Sequence, residues 1–292
     1  MKSFLKRLAA RAMRPGLTPI DDRLARIECH LQPNAINGIW RGGMEGAALD
    51  ATGKVLPDAT RKYREELSYW CQAVRNPRSV GLEVPSFQEA FGSWQRARLE
   101  ELGTFLGLED FDAVEDWCRA RSAIEIGPGP FPSISVVSWK RGVAIDPLAD
   151  GYASEHLLPT NAKIDEVTFI AAPGENIPLP SGFADIVIIE NCLDHVDDPQ
   201  AVVTEICRLL APNGLLWILV DLMDYSDEMH PNPFSEDRLR GLLSASGFDV
   251  VRDRVSTDHK SHPHAYGEYR GLLRRTVGSV EPKPVAQAAT VA

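Results

Sequence analysis

The chain has 292 residues, of which 44% are hydrophobic, and its formal net charge is −10 with a pI near 5.2. This length predicts one large domain, or one domain with a smaller companion. The acidic balance argues against nucleic acid as a partner, because contacts to phosphates need a basic face. No apolar run reaches the roughly 18 residues that a membrane-spanning helix requires.

The five cysteines include no C-x-x-C pair, and their odd number does not make a complete set of disulfide bridges. This pattern indicates reduced thiols and a cytoplasmic protein. The first residues, MKSFLKRLAARAMRPGL, are basic and amphipathic. A helix that frays or docks on the domain is the favoured interpretation, and weak contact with an anionic membrane surface is the alternative. The last residues, 279–292, lack periodicity, which predicts a disordered tail.

Three helical segments come next along the chain. Apolar residues recur at helical spacing in 59–76 and again in 86–106, where Ser86 is a good N-cap, and a shorter third segment covers about 110–120. None of them carries a chemical motif, so their aromatic stripes are interpreted as core. We predict a helical N-terminal region over 1–120 that packs on the following domain and caps its active site.

Residues 122–147, SAIEIGPGPFPSISVVSWKRGVAIDP, predict a strand, a tight turn, a short helix over Ser133–Trp139 and a second strand over Arg141–Ile145. Ser122–Ile126 is the first strand, and Gly127 and Gly129 follow at once, so the backbone can pass close to a ligand there. Asp146 ends the second strand about 20 residues on, where its carboxylate can accept hydrogen bonds from ribose hydroxyls. The stretch therefore predicts a cofactor that contains a nucleoside.

The same turn is poorly suited to a pyrophosphate. The third glycine of the dinucleotide pattern G-x-G-x-x-G is replaced by Pro132, and Pro128 and Pro130 also lack N–H donors. Glu125, two residues before the first glycine, would repel a pyrophosphate. S-adenosylmethionine has a ribose, an ammonium and a sulfonium but no phosphate, and it fits these residues better. A dinucleotide and a plain turn without a ligand are the alternatives.

Two further strands are predicted over Val167–Ala171 and Ala184–Glu190. The second is nearly all apolar, as a parallel strand covered on both faces should be. Asn191 follows at its carboxyl end, beside the glycine turn, where open α/β sheets bind ligands. Asp198 and Pro199 then begin a helix as N-cap and first residue.

The motif Ile124–Gly129 (IEIGPG) resembles the first motif of class I S-adenosylmethionine-dependent methyltransferases, and residues 174–222 resemble the type-11 methyltransferase domain. Phe131 stands where this family usually has a third glycine, and Pro173 stands where many members have an acid near the adenine. The resemblance implies an α/β fold with a Rossmann-like, seven-stranded, mostly parallel sheet that ends in an antiparallel hairpin. We place this methyltransferase domain at 121–278.

The resemblance also implies which residues bind S-adenosylmethionine. The contacts to its methionine end are expected from the turn and from the loop after the fourth strand: Glu125, Gly127, Pro128, Gly129 and Asn191. The contacts to its ribose and adenine are expected from the loops after the second and third strands: Asp146, Pro147, Glu175 and Asn176.

A fifth strand is predicted at Leu215–Val220, and four candidate bases follow the fourth and fifth strands: Asp194, His195, Asp221 and His230. His195 and His230 are predicted to be catalytic, because imidazole titrates near neutrality and both loops should face the acceptor. Packing under the cofactor loop is the alternative for His195. The histidines in 259–264 have a spacing that can bind a metal. A polar turn is favoured there, so no metal is predicted.

The favoured function is S-adenosylmethionine-dependent methyl transfer to a small-molecule or sugar-containing (glycan) acceptor, at oxygen. The fourth strand is not followed by an Asp- or Asn-Pro-Pro-aromatic motif, which argues against planar amines as acceptors. Two alternatives stay open. One is a nicotinamide-dependent oxidoreductase on a similar sheet, and the other is a non-catalytic, cofactor-binding scaffold. The oligomeric state is not predicted.

Overall fold

The computed structural model describes residues 35–36, 39–40, 57–159, 163–226, 229–257, 262 and 264–276. The basic first residues, the predicted tail at 279–292 and His259 lie outside these residues. The predictions for those segments therefore stay predictions.

Seven strands form the main sheet: β1 Ser122–Ile126, β2 Arg141–Ile145, β3 Val167–Ile170, β4 Ala184–Glu190, β5 Leu210–Leu222, β6 Phe248–Ser256 and β7 Gly267–Arg275. Their order is β3-β2-β1-β4-β5-β7-β6. The first five strands run parallel, and β7 pairs antiparallel with both β5 and β6. The predicted sheet with its terminal antiparallel hairpin is confirmed. Two short strands, Ala35–Ile36 and Ile39–Trp40, extend it beyond β3.

Within the described residues the α-helices are α1 Pro57–Arg75, α2 Phe87–Leu106, α3 Phe111–Arg119, α4 Ala149–Ser154, α5 Pro199–Leu209 and α6 Glu236–Ala245. The predicted caps are present: the Ser86 hydroxyl accepts the N–H of Glu89, and the Asp198 carboxylate accepts two N–H groups of the first turn of α5. None of these helices has the length and apolar character needed to cross a bilayer.

The helix predicted after the glycine turn is wrong for most of its length, because only the 3₁₀ turn Ser133–Ser135 forms. The Glu125 carboxylate accepts the N–H groups of Ser133 and Ile134, each at 3.0 Å. The prolines before this point cannot donate hydrogen bonds. The N–H groups of this 3₁₀ turn are therefore satisfied by one buried side chain from β1, and the chain continues to β2 without a further helix.

The sheet has a hydrophobic core on each face, so the domain has three layers. Buried residues of α5 and α6 pack on one face, among them Val202, Ile206, Leu239 and Leu243. Buried residues of α2 and α3 pack on the other, among them Leu99, Leu102, Phe105 and Val114. Helix α2 is also held by charge, because the Glu101 carboxylate pairs with Arg254 of β6 and Arg270 of β7.

Helix α1 packs beside the carboxyl ends of β1 and β2. Its residues Tyr63, Leu67 and Trp70 contact the buried side chains around α4, including Leu148 and Tyr152. The aromatic stripe predicted for residues 59–76 therefore packs in a hydrophobic core around α4. The same helix also lines the cavity described next, and its capping role stays a prediction.

Candidate active site

A cavity of about 580 Å³ lies at the carboxyl ends of the parallel strands. The chain reverses direction across the sheet between β1 and β4, and such switch points are where open α/β sheets bind ligands. The strand register pairs Ile126 with both Ile145 and Ile189. The residues that follow these strands therefore meet at one edge, and the cavity is of ordinary size for a small-molecule site.

The turn after β1 has room for backbone only. Gly127 and Gly129 both have φ of +65°, a region that L-residues rarely adopt. A Cβ on Gly127 would lie 2.3 Å from the Cys192 Sγ, and a Cβ on Gly129 would lie 2.7 Å from the Trp70 ring. Both predicted glycines therefore line the cavity with main-chain atoms, as does Pro128 between them.

Asp146 joins this turn to the end of β2. Its carboxylate accepts the N–H of Gly129 at 3.0 Å and the N–H of Leu148 at 2.8 Å, and only 3% of the residue is exposed. The pKa of Asp146 is raised to about 7, first by burial and then by the negative charge of Glu66. Asp146 and Pro147 both line the cavity. The geometry thus leaves carboxylate oxygens at the cavity edge that can accept further hydrogen bonds.

Glu66 of α1 is a second, partly buried acid that lines the same cavity, and the sequence patterns did not single it out. Burial raises its pKa, while the positive charge of Lys62 lowers it. Glu66 lies close enough to Asp146 for its negative charge to raise the pKa of Asp146. Two carboxyl groups facing one cavity favour a cationic ligand and disfavour a phosphate.

Asn191 comes directly after β4 and lines the cavity opposite the glycine turn. Its φ is +51°, which asparagine tolerates better than most residues, and its N–H donates to the Leu219 carbonyl at 2.8 Å. The side-chain Oδ1 is buried and has no hydrogen-bond partner. A buried amide oxygen of this kind can accept a hydrogen bond from a bound ligand.

Two of the predicted cofactor contacts, Glu125 and Asn176, lie outside the cavity lining, and a third, Glu175, already accepts backbone hydrogen bonds. Glu125 is buried beneath the turn and is not part of the cavity lining. Its carboxylate accepts the backbone N–H groups of Ser133 and Ile134. Burial raises its pKa to about 7. Glu175 does line the cavity, but its carboxylate accepts the N–H groups of residues 197 and 198. Asn176 is exposed and is absent from the cavity lining, so its predicted contact with the cofactor has no support here.

The two predicted catalytic histidines meet at the other end of the cavity. The ring centroids of His195 and His230 are 4.4 Å apart, and those of His230 and His262 are also 4.4 Å apart. Asp194 is 1% exposed, and its Oδ2 lies 3.9 Å from His195 Nε2. Burial raises the pKa of Asp194 to about 6, although the positive charge of His230 lowers it. We call Asp194, His195, His230 and His262 the histidine cluster.

Backbone hydrogen bonds hold the loops of this cluster. The Asn232 N–H donates to the Asp194 carbonyl at 3.2 Å, and its side-chain amide donates to the Val196 carbonyl at 2.6 Å. From the other side, the Lys62 ammonium donates to the carbonyl of His195. The loop after β4 is thus fixed by a loop after β5 and by helix α1.

The family model described as a methyltransferase domain matches residues 125–218, which run from the end of β1 through β4 and α5 into β5. The chain therefore carries a methyltransferase domain over these residues, and it is an S-adenosylmethionine-dependent methyltransferase. Its cofactor is S-adenosylmethionine.

Several solved structures resemble the methyltransferase at low sequence identity. One is the Burkholderia thailandensis 1,6-didemethyltoxoflavin-N1-methyltransferase with bound S-adenosylhomocysteine, at 19% identity over 74% of this chain and 90% of that one, with a TM-score of 0.47. Another is a methyltransferase from Methanosarcina mazei, at 15% over 54% and 93%, with a TM-score of 0.40. A third is the [4+2]-cyclase SpnF, at 15% over 65% and 96%, with a TM-score of 0.42. The assignment rests on the family match rather than on these structures.

Phe131 explains one departure of the methyltransferase from the family pattern. Its ring is 3% exposed and lies 5.2 Å from the rings of both Phe87 and Phe91 of α2. Trp70 of α1 packs against the same two rings, at 6.0 and 6.1 Å. Phe131, which stands in place of the third glycine, therefore packs the glycine turn against α2 and, through the same aromatic cluster, against α1.

The sequence patterns missed the contribution of the N-terminal helices to the site of the methyltransferase. Cavity-lining residues on these two helices include Lys62, Tyr63, Glu66, Trp70 and Arg98. On α2, the Arg98 guanidinium lies 3.1 Å from the carboxylate of Glu190, which also accepts the indole N–H of Trp217 at 2.7 Å. Charged residues on an otherwise aromatic helix stripe were the available signal, because a core-facing stripe rarely includes them.

Proposed function

We propose that this methyltransferase transfers a methyl group to an oxygen atom of a small-molecule or sugar-containing acceptor. The observation that carries the proposal is that one cavity joins two unlike ends. The glycine turn, Asp146 and Asn191 form one end, and the histidine cluster forms the other. The acidic end suits the cationic cofactor, and the imidazole end suits a hydroxyl that must lose its proton.

The residues present fit S-adenosylmethionine at the first end. The Asp146 carboxylate would accept hydrogen bonds from the ribose hydroxyls, and the buried Asn191 Oδ1 would accept one from the ammonium group. Main-chain atoms of Gly127, Pro128 and Gly129 leave the space that the methionine chain needs. Glu125 would contribute indirectly, because its carboxylate holds the 3₁₀ turn that follows the glycines.

The cofactor supplies a methyl group on a sulfonium when it is bound. The tasks left to the protein are to hold the acceptor in line, to exclude water and to receive the acceptor's proton. His195 and His230 line the acceptor end and are proposed to handle that proton. The adenine is proposed to lie against Pro173, Gly174 and Glu175, which line the cavity beyond Asp146.

Titration calorimetry with S-adenosylhomocysteine tests the proposal first, with NADH as the control ligand. We expect binding of the first and none of the second, because Glu66 and Asp146 would repel a pyrophosphate. Binding of NADH would favour the oxidoreductase alternative. A screen of sugars and small hydroxylated molecules for release of S-adenosylhomocysteine then tests the acceptor class, and turnover only on amines would contradict the oxygen assignment.

Replacement of Asp146 by asparagine should weaken binding of S-adenosylhomocysteine by about 1–3 kcal/mol, because one or two charge-assisted hydrogen bonds to the ribose are lost. Calorimetry at pH 8 measures the effect. The control is Asp165→Asn, since Asp165 is exposed and lies just before the amino end of β3, whereas the cavity lies at the carboxyl ends of the strands. Equal affinity of Asp146→Asn and the wild type would remove Asp146 from the ribose contact.

Binding of S-adenosylhomocysteine should tighten by about tenfold between pH 6 and pH 8 and then level off. The pKa of Asp146 is about 7 in the free protein, so most carboxyls are neutral at pH 6, and the ligand prefers the ionised form as a hydrogen-bond acceptor. Glu66, Tyr152 and Cys192 are ionisable groups close to Asp146, and burial raises the pKa of each. Calorimetry across this range gives the profile. Asp146→Asn should flatten it, and a wild-type affinity that falls with pH would contradict the assignment.

A further inference from the structure

The histidine cluster has the composition of a metal site. Asp194, His195 and His230 each offer one ligand atom, and these atoms all lie within 4.8 Å of one another. Two imidazoles with one carboxylate are a common ligand set for divalent first-row metals such as Zn²⁺ and Fe²⁺. Zn²⁺–ligand bonds of about 2.0–2.2 Å would draw the three atoms to about 3.3–3.5 Å from one another. Small side-chain rotations cover that difference.

Asp194 provides an independent reason to expect a cation. The residue is 1% exposed, yet its Oδ1 has no hydrogen-bond partner. A buried carboxylate oxygen without a partner is costly, and a metal ion would satisfy it. Asp221 and Glu66 lie close enough to add negative charge to the surroundings, and the ammonium of Lys62 opposes them in part. The local field therefore favours a divalent cation.

The ligands are held before any metal arrives. Asp194 and His195 sit on the loop after β4, and His230 sits on the loop after β5. Asn232, two residues beyond His230, hydrogen-bonds to the carbonyls of Asp194 and Val196 and so ties the two loops together. A site whose ligands come from fixed loops binds a metal with less loss of conformational freedom.

We propose that Asp194, His195 and His230 bind a divalent transition-metal ion at the acceptor end of the cavity. His195 and His230 line the cavity while Asp194 lies behind them, so the remaining coordination positions face the acceptor. A hydroxyl oxygen bound there would lose its proton to solvent more readily, as metal-bound water does, so in the metal-bound protein His195 and His230 would act as ligands in place of acting as bases. The site itself is independent of methyl transfer, whereas this role of the ion rests on the proposed function.

The experiment is a titration of the full chain, stripped with EDTA, with Zn²⁺ by calorimetry and with Co²⁺ by visible absorption. We expect one ion per chain and cobalt bands that indicate nitrogen and oxygen ligands. The substitutions D194N, H195Q and H230Q should each weaken Zn²⁺ binding by at least about 100-fold, since even partners of metal ligands cost 10- to 100-fold when changed.

The matched control is H264Q. His264 is exposed, lies 5.4 Å from His262 between ring centroids, and is outside the three proposed ligands. It should keep wild-type Zn²⁺ affinity. Absence of Zn²⁺ binding by the wild type, or binding that D194N, H195Q and H230Q leave unchanged, overturns the proposal. Thermal melting of each metal-free variant separates loss of a ligand from loss of the fold.

Two outcomes separate this proposal from the proposed function. If the metal-free protein binds S-adenosylhomocysteine but not Zn²⁺, the cofactor assignment stands and the metal site falls. If it binds Zn²⁺ at the three residues but not S-adenosylhomocysteine, the metal site stands and the cofactor end is wrong.

Discussion

Replacement of Gly127 by alanine is expected to lower the free energy of unfolding by about 2–5 kcal/mol. The φ of +65° costs an L-residue about 1–2 kcal/mol. The new Cβ would also lie 2.3 Å from the Cys192 Sγ and 2.7 Å from its Cβ, and overpacking of this kind costs about 1–3 kcal/mol more. Urea denaturation followed by circular dichroism measures the change. Binding of S-adenosylhomocysteine should be lost as well, because the turn must shift.

Two variants separate backbone strain from crowding at this turn. Gly182 has a φ of +72°, and no atom lies within 4 Å of the place that a Cβ would take, so Gly182→Ala should cost only the strain, about 1–2 kcal/mol. Adding Cys192→Gly to Gly127→Ala removes the colliding side chain and should restore part of the stability. If Gly127→Ala costs no more than Gly182→Ala, the close approach of the turn to Cys192 does not exist in solution.

Replacement of Phe131 by alanine is expected to destabilise the protein by about 3–5 kcal/mol. The ring is 3% exposed and packs against both Phe87 and Phe91 of α2, so its loss leaves a cavity beside these two rings. Denaturation in urea again gives the free energy. Calorimetry should also show weaker binding of S-adenosylhomocysteine, since Phe131 is two residues from Gly129.

Phe131→Leu and Tyr266→Ala are the controls for this prediction. Leucine keeps most of the apolar volume and should cost less than about 1.5 kcal/mol. Tyr266 is 46% exposed, so removal of its ring should change stability by about 0.5 kcal/mol or less. A cost for Phe131→Ala as small as that for Tyr266→Ala would show that the aromatic contact contributes little to the fold.

Most of the fold could be predicted from the sequence because local signals and burial agree there. The apolar run Ala184–Glu190 predicted β4 as a parallel strand covered on both faces, and Asp198 with Pro199 marked the start of α5. The helix after the glycine turn could not be predicted correctly. Its outcome depends on Glu125, which satisfies the backbone N–H groups from a neighbouring strand. The domain boundary at residue 120 stays a prediction.

The cofactor end of the site was more predictable than the acceptor end. Gly127, Gly129, Asp146 and Asn191 follow strands whose carboxyl ends must meet in a parallel sheet, so the sequence order alone brings them together. The metal-like arrangement in the histidine cluster was not predictable. Asp194 and His195 are separated from His230 by a helix and a strand, and no spacing rule connects them.

The packing of Phe131 has a consequence for how the molecule fluctuates. Helices α1 and α2 share their aromatic contacts with the turn that borders the cofactor, so a local opening of those helices must also loosen the turn. A ligand that binds only the closed turn would therefore make such openings rarer. Amide hydrogen exchange in both helices should slow when the cavity is filled, although most of their residues never touch the ligand.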